Sequence, residues 1–190
     1  MYAMLGDLGF TTRLYLARVI YNKDIHPPLT HRISMVEIND AQYVVDVGFG
    51  PLGPALPVRM STEETRDSYR TFRVSEAQPG VFHMQTRKDN GWFSLYKFEL
   101  AHYGQADCEL GHFYSHKHPQ AAFVNNLVIS VIRDNEVCSI RNREFCLATE
   151  KDQRNKTIEN STQLKELLKQ QFDIKVSESE ASRLFNKSDH

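Results

Sequence analysis

The stretch LTHRISMVEINDAQYVVDVGFG, from Leu29 to Gly50, constrains this chain more than any other. Apolar residues run through Ile33, Met35, Val36 and Ile38, then resume at Tyr43, Val44, Val45 and Val47, on either side of a polar centre at Asn39-Asp40. That is the chemistry of two strands folded back through a two-residue turn. With Asn39 and Asp40 as the loop residues, Ile38 pairs with Ala41 and Asp46 faces Ile33. His31 is then the diagonal neighbour of Asp46 on the same face, within reach of imidazole and carboxylate. A slip of one residue would send the two side chains to opposite faces, so the geometry rests on the turn. Gly48 and Gly50 bracket Phe49 and let the backbone leave the sheet sharply or approach a ligand. They lack phosphate-loop spacing and lead into no helix. A histidine oriented by a carboxylate makes two parts of a three-part nucleophilic site.

The 190 residues are 41% apolar, enough to bury a core in one domain or two small ones. A formal net charge of -1 offers no global field for nucleic acid or an anionic membrane. The basic runs at Arg141 to Arg143 and Lys151 to Lys156 read as solvated turns. No segment approaches the roughly 20 apolar residues of a membrane-spanning helix, and no charged start precedes an apolar signal region. A cytoplasmic protein is expected. The odd cysteine count (Cys108, Cys138, Cys146), without a C-x-x-C pair, fits free thiols in a reducing compartment.

Ahead of the hairpin, MYAMLGDLG reads as the last turns of a helix, with Gly9 in the left-handed terminal position. Phe10 to Ile20 alternates as a strand with Leu14, Leu16 and Ala17 inward. Tyr21 to Thr30 is a loop stiffened by Pro27-Pro28. After Gly50, PLGPALP crosses to a region of β character. SYRTFRV, VFHMQTR and WFSLYKF are separated by turns at Gln78-Pro79-Gly80 and Asp89-Asn90-Gly91, a spacing that suits a barrel or sandwich. Ala101 to Pro119 reads as irregular. Phe123 to Arg133, Val137 to Arg141 and Glu144 to Thr149 form a second β set, with turns at Asp134-Asn135 and Asn142-Arg143. One helix follows, capped by Asn160 with Gln163 three residues on, and striped by Leu164, Leu167, Leu168 and Phe172. Ser177 to Lys187 adds a short amphipathic turn before a polar, frayed end.

THRISMVEI followed by YVVDVGFG closely resembles the arylamine N-acetyltransferase family, in which a histidine strand and a D-V-G-F-G strand supply two members of a Cys-His-Asp triad. LGDLGFTTRLYLARV (Leu5 to Val19), DCELGHFYSHKHPQAAFVNNL (Asp107 to Leu127) and LKELLKQQFDI (Leu164 to Ile174) are similar to further segments of the family. The resemblance covers practically the whole chain. It implies an α+β, cysteine-protease-like fold: a helical remnant at 1–9, a β-barrel at 10–111, a linker at 112–118 and an α/β lid at 119–190. It also implies ping-pong transfer of acetyl from acetyl-CoA to arylamines or arylhydrazines. His31 is then the general base, Asp46 its orienting carboxylate, and Phe49 a wall of the amine pocket. Tyr114 and Gln120 lie where family members approach coenzyme A. Acetyl-CoA is a cosubstrate, and no metal, nucleic acid or membrane is called for.

The departure from the family lies at the nucleophile. Its R-G-G-x-C-x-E-x-N type segment belongs ahead of everything in this sequence, so the chain reads as truncated, with most of the helical domain missing. Cys108, Cys138 and Cys146 all follow Asp46 and lack the setting that would lower a thiol pKa. The alternative function is a catalytically inactive product that binds CoA, amines or a partner protein. Loss of the helical domain is expected to expose Tyr2, Met4, Leu5 and Leu8 as an apolar surface for association. Cys108, His112, His116 and His118 carry zinc-binding residue types. Tyr114-Ser115 and Pro119 weigh against the helix they would need.

Overall fold

A computed structural model describes residues 1–134 and 136–187. The chain divides into two compact units, Met1–Tyr114 and a second from Ser115 onward. Among the described residues, no helix is long and apolar enough to cross a membrane.

The first unit opens with a short helix, α1 (Tyr2–Asp7). Gly9, at φ +89°, ends it: its N–H donates to Gly6 O and that of Phe10 to Leu5 O. This is the paired terminal bonding a left-handed residue permits. No residue of α1 is buried; Met4 and Leu8 are half or more exposed.

An antiparallel sheet of eight strands follows: β1 (Thr11–Val19), β2 (His31–Ile38), β3 (Ala41–Val45), β4 (Val58–Arg59), β5 (Thr65–Arg66), β6 (Thr71–Gln78), β7 (Val81–Lys88) and β8 (Gly91–Glu99). Their order is β4-β3-β2-β1-β8-β7-β6-β5. The sheet curls into a nearly closed barrel, because the N–H of Val74 on β6 reaches the carbonyl of Ser61 just beyond β4. Tyr15, Ala17, Ile33, Val44, Phe72 and Met84 fill the interior together with residues of β8. The β1 face differs from expectation. Tyr15 and Ala17 point inward, whereas Leu14 and Leu16 take the opposite face, as strict alternation requires.

The turns are where local chemistry shows most plainly. Asn39 and Asp40 both have positive φ, +50° and +61°, the signature of a type I′ turn, and Ile38 pairs with Ala41 as the motif predicts. Pro79-Gly80 closes β6 onto β7 with Gly80 at φ +77°. At the β7–β8 turn Gly91 takes φ +115°. Within β8 the register moves from Met84–Tyr96 to Gln85–Ser94, leaving Leu95 as an extra residue. This bulge turns Leu95 and Tyr96 inward together and Ser94 outward.

Helix α2 (Gln105–Lys117) replaces the irregular segment expected at 101–119. The N–H of Gly104 donates to the Asp107 carboxylate at 2.8 Å, steadying the helix start, and Pro119 lies beyond its end. The second unit holds α3 (Ala122–Asn125), a four-stranded antiparallel sheet of β9 (Val128–Ile132), β10 (Val137–Arg141), β11 (Glu144–Ala148) and β12 (Gln153–Thr157), then α4 (Ser161–Phe172) and α5 (Glu178–Lys187). Phe123 was expected in a strand, yet it sits in the helical turn α3. There the side chains of Asn125 and Asn126 bond back to the carbonyls of Ala121 and Ala122. Strand β12, QRNKT, covers what read as a solvated turn. All five residues are exposed, so no apolar alternation announces it. Helix α4 begins as expected, with the Asn160 side chain accepting from the Gln163 N–H at 2.9 Å. Leu164 and Leu168 join Ile140 and Ile158 in the second core. Asn135 of the expected Asp134-Asn135 turn, and the polar end 188–190, lie outside the described residues.

Candidate active site

The hairpin register delivers His31 and Asp46 to one end of the barrel interior. His31 opens β2, directly opposite Ala17 on β1, and Asp46 follows the last residue of β3. The two meet: His31 Nε2 lies 2.8 Å from Asp46 Oδ2, with 10% of the imidazole side chain and none of the carboxylate side chain exposed. The second carboxylate oxygen, Oδ1, accepts the Gly48 N–H at 3.0 Å. A buried carboxylate is costly unless both oxygens find donors, and here both do. His31 Nδ1 bonds to no described residue, so it is the nitrogen left to act as an acceptor.

Three aromatic rings hold the imidazole. Tyr96 lies against it at 5.0 Å between centroids, tilted by 56°, and Phe49 meets it edge-on at 5.3 Å and 78°. Phe49 also packs on Tyr96 at 5.3 Å and on Tyr21 at 5.6 Å. Phe49 is therefore both a core contact and a wall beside His31. Tyr21 is 44% exposed and held at φ +46°, an unusual backbone for a bulky side chain. It is fixed there by its N–H donating to Leu95 O. The Tyr96 hydroxyl is buried with no hydrogen-bond partner at good geometry. Burial, then the neighbouring Asp46 charge, pushes its pKa well above 10.0.

Two supports were hidden in the sequence. Gly111 of α2 packs on the backbone leading into His31. A Cβ there would sit 2.7 Å from Leu29 O, so α2 comes this close only through glycine. Asp67 ties down the loop after Phe49, accepting from the N–H groups of Ala55, Tyr69 and Arg70, while the Arg70 guanidinium donates to Pro51 O.

The remaining candidates are spread out. Tyr114 lies near the end of α2, and Gln120 is exposed in the turn after it, its N–H donating to His118 Nδ1 at 3.2 Å. Cys108 is on α2, Cys138 on β10 and Cys146 on β11, all as free thiols. Burial and then Glu136 push the Cys138 thiol pKa up, against thiolate formation. No group of three or more His, Cys, Asp or Glu side chains among the described residues could hold a metal ion. Cys108 and His116 share a helix but stand about 12 Å apart along its axis, too far for one ion.

The family model described as N-acetyltransferase matches residues 1–181. The chain belongs to the arylamine N-acetyltransferase family. It is 33% identical over 127 residues to the arylamine N-acetyltransferase / N-hydroxyarylamine O-acetyltransferase of Salmonella typhimurium, covering 66% of this chain and 45% of that protein. It is 32% identical over 129 residues to the arylamine N-acetyltransferase of Escherichia coli, with the same coverage. The chain thus spans about half the length of these relatives. Among solved structures, the Salmonella typhimurium arylamine N-acetyltransferase superposes with a TM-score of 0.89 at 27% identity, over 97% of this chain and 71% of that one. The Mycobacterium marinum arylamine N-acetyltransferase in complex with CoA shares the fold, with a TM-score of 0.90 at 21% identity over 98% and 72% of the two chains. The N-acetyltransferase fold is thus present in this chain as an α+β barrel followed by a smaller α/β unit.

Proposed function

We propose that this N-acetyltransferase family chain carries the base and its orienter for acetyl transfer from acetyl-CoA to an arylamine or arylhydrazine. The observation that carries the reading is the 2.8 Å contact between His31 Nε2 and the fully buried Asp46 carboxylate. Asp46 sets the imidazole tautomer, placing the proton on Nε2, so Nδ1 is the lone-pair nitrogen. Nδ1 takes the proton of a cysteine thiol. The thiolate attacks the thioester carbonyl, and coenzyme A leaves as a thiol with that proton returned by His31. The amine nitrogen then attacks the acetyl-cysteine carbonyl, its proton passing through His31 to the departing cysteine thiolate. Phe49, edge-on to His31, lines the place of the aryl ring. Tyr114 and Gln120 are assigned to the approach of coenzyme A.

Within the first unit His31 Nδ1 makes no hydrogen bond to Cys108, its one cysteine. The same open Nδ1 favours a second reading, a catalytically inactive product that binds acetyl-CoA or the amine without turnover.

Incubated with acetyl-CoA and an arylamine, the purified 190-residue chain should give no acetylated amine above background. Turnover that cysteine alkylation abolishes would show that one of the three thiols serves after all. Joining an R-G-G-x-C-x-E-x-N segment with its helix ahead of Met1 should produce transfer, and Asp46→Asn should then cut kcat by about 10⁴-fold. Transfer that survives His31→Gln would overturn the assignment.

A further inference from the structure

The outer face of the barrel holds a second cluster of chemistry that acetyl transfer does not use. A cleft of about 270 Å³ opens there beside β7 and β8, and Asn22, Lys23, Asp24, His83, Ser94 and Lys97 are among the residues lining it. Its size falls just below that of small-ligand sites and suits a compact polar group.

Basic side chains gather on this face, and the Arg18 guanidinium donates to Pro27 O. Arg18 on β1, Lys97 on β8 and His83 on β7 stand directly opposite one another across three adjacent strands. Like charges in that arrangement repel unless something answers them. Arg18, Lys23 and Lys97 form no ion pair with a described residue. The nearby acids are Asp24 on the cleft wall and Glu99, which shares the outer face of β8 with Lys97.

His83 is held in one orientation. Its Nδ1 lies 3.1 Å from the hydroxyl of Ser94, which is 6% exposed. That hydroxyl accepts from Gln85 Nε2 at 3.1 Å, so its own proton is free to go to His83 Nδ1. Gln85 is fixed in turn by Arg73 and Ser75. The imidazole therefore keeps its proton on Nε2, a donor with no partner among the described residues. Ser94 stands outward only because of the Leu95 bulge, and Asn22, at φ +59°, is bonded to its backbone in both directions. Burial and then Lys97 lower the His83 pKa.

We propose that this cleft binds a phosphate group, free or as a monoester, through the ammonium groups of Lys23 and Lys97 and the Nε2–H of His83. Three donors of this kind converging on one anion give charge-assisted hydrogen bonds. The proposal is independent of the acetyl-transfer reading.

The test is a titration of the 190-residue chain with inorganic phosphate at constant ionic strength, followed by amide and imidazole chemical shifts, with glycerol phosphate in parallel. Saturating shifts at Asn22, Lys23, His83 and Lys97 are expected, with the His83 pKa raised on saturation because the anion favours imidazolium. Lys97→Gln and His83→Gln should each weaken binding by about tenfold, and Asp24→Asn, an exposed change, should tighten it. Tighter binding of glycerol phosphate than of phosphate identifies a monoester as the ligand; equal or weaker binding identifies the free anion. Shifts that rise without saturating, that spread over unrelated lysines, or that persist unchanged in Lys97→Gln and Asp24→Asn overturn the proposal.

Discussion

Asp46 has no side-chain surface left for water: one oxygen is spent on His31 and the other on the Gly48 N–H. Asp46→Ala strands both donors at the barrel end and should lower stability by about 1–3 kcal/mol, read as the urea midpoint at unchanged slope. Tyr96 makes the opposite kind of prediction. Its hydroxyl has no hydrogen-bond partner at good geometry, so Tyr96→Phe should change stability at pH 7 by less than about 1 kcal/mol. The pH dependence follows from its raised pKa. The unfolded tyrosine ionises near 10.0 while the folded one keeps its proton, so stability is intact below that pH and falls as pH rises through and above it. In Tyr96→Phe the alkaline decline should be shallower. An equally steep decline would assign it to other groups.

Elements succeeded or failed as predictions according to where their determinants lie. The β2–β3 hairpin is legible because two adjacent residues in left-handed backbone set the whole register. Asp40→Gly should stabilise it by a few tenths to about 1 kcal/mol, since glycine accepts φ +61° without strain. Helix α4 is legible from its Asn160 cap, and Asn160→Ala should cost about 1 kcal/mol in thermal or urea unfolding. Strand β12 escapes notice because an exposed strand carries no burial pattern. Its position comes from pairing with β11, which a window on QRNKT does not contain. Helix α2 is as hard to read: its one buried residue, Gly111, packs against Leu29 rather than presenting an apolar stripe. Gly111→Ala should displace that loop or cost about 1–3 kcal/mol, with His31 ring shifts reporting the displacement.

At the scale of the molecule, two cores serve two units, one around Phe72, Met84 and Tyr96 and the other around Ile140, Ile158, Leu164 and Leu168. Leu164→Ala should cost about 2–5 kcal/mol where it sits. Native-state hydrogen exchange should show the loss in β9–β11 and α4 and spare the β1–β2 and β7–β8 ladders that carry the site. A uniform loss across both units would show that they unfold as one. The barrel also separates two chemistries by face: His31, Asp46 and Tyr96 at the end of its interior, and His83, Ser94 and Lys97 on its outside.

The sequence by itself determined the hairpin, its register, the pairing of His31 with Asp46 and the family to which those residues point. Each depends on residues adjacent in the chain or on a periodicity that survives in a single strand. Only the tertiary structure decided the rest. The bulge at Leu95 that turns Tyr96 toward the imidazole, the glycine contact of α2 behind Leu29, and the row of Arg18, Lys97 and His83 all join residues far apart in sequence. Pairing of that kind is set by packing and hydrogen bonding across the nearly closed sheet, which leaves no periodic trace in any one segment.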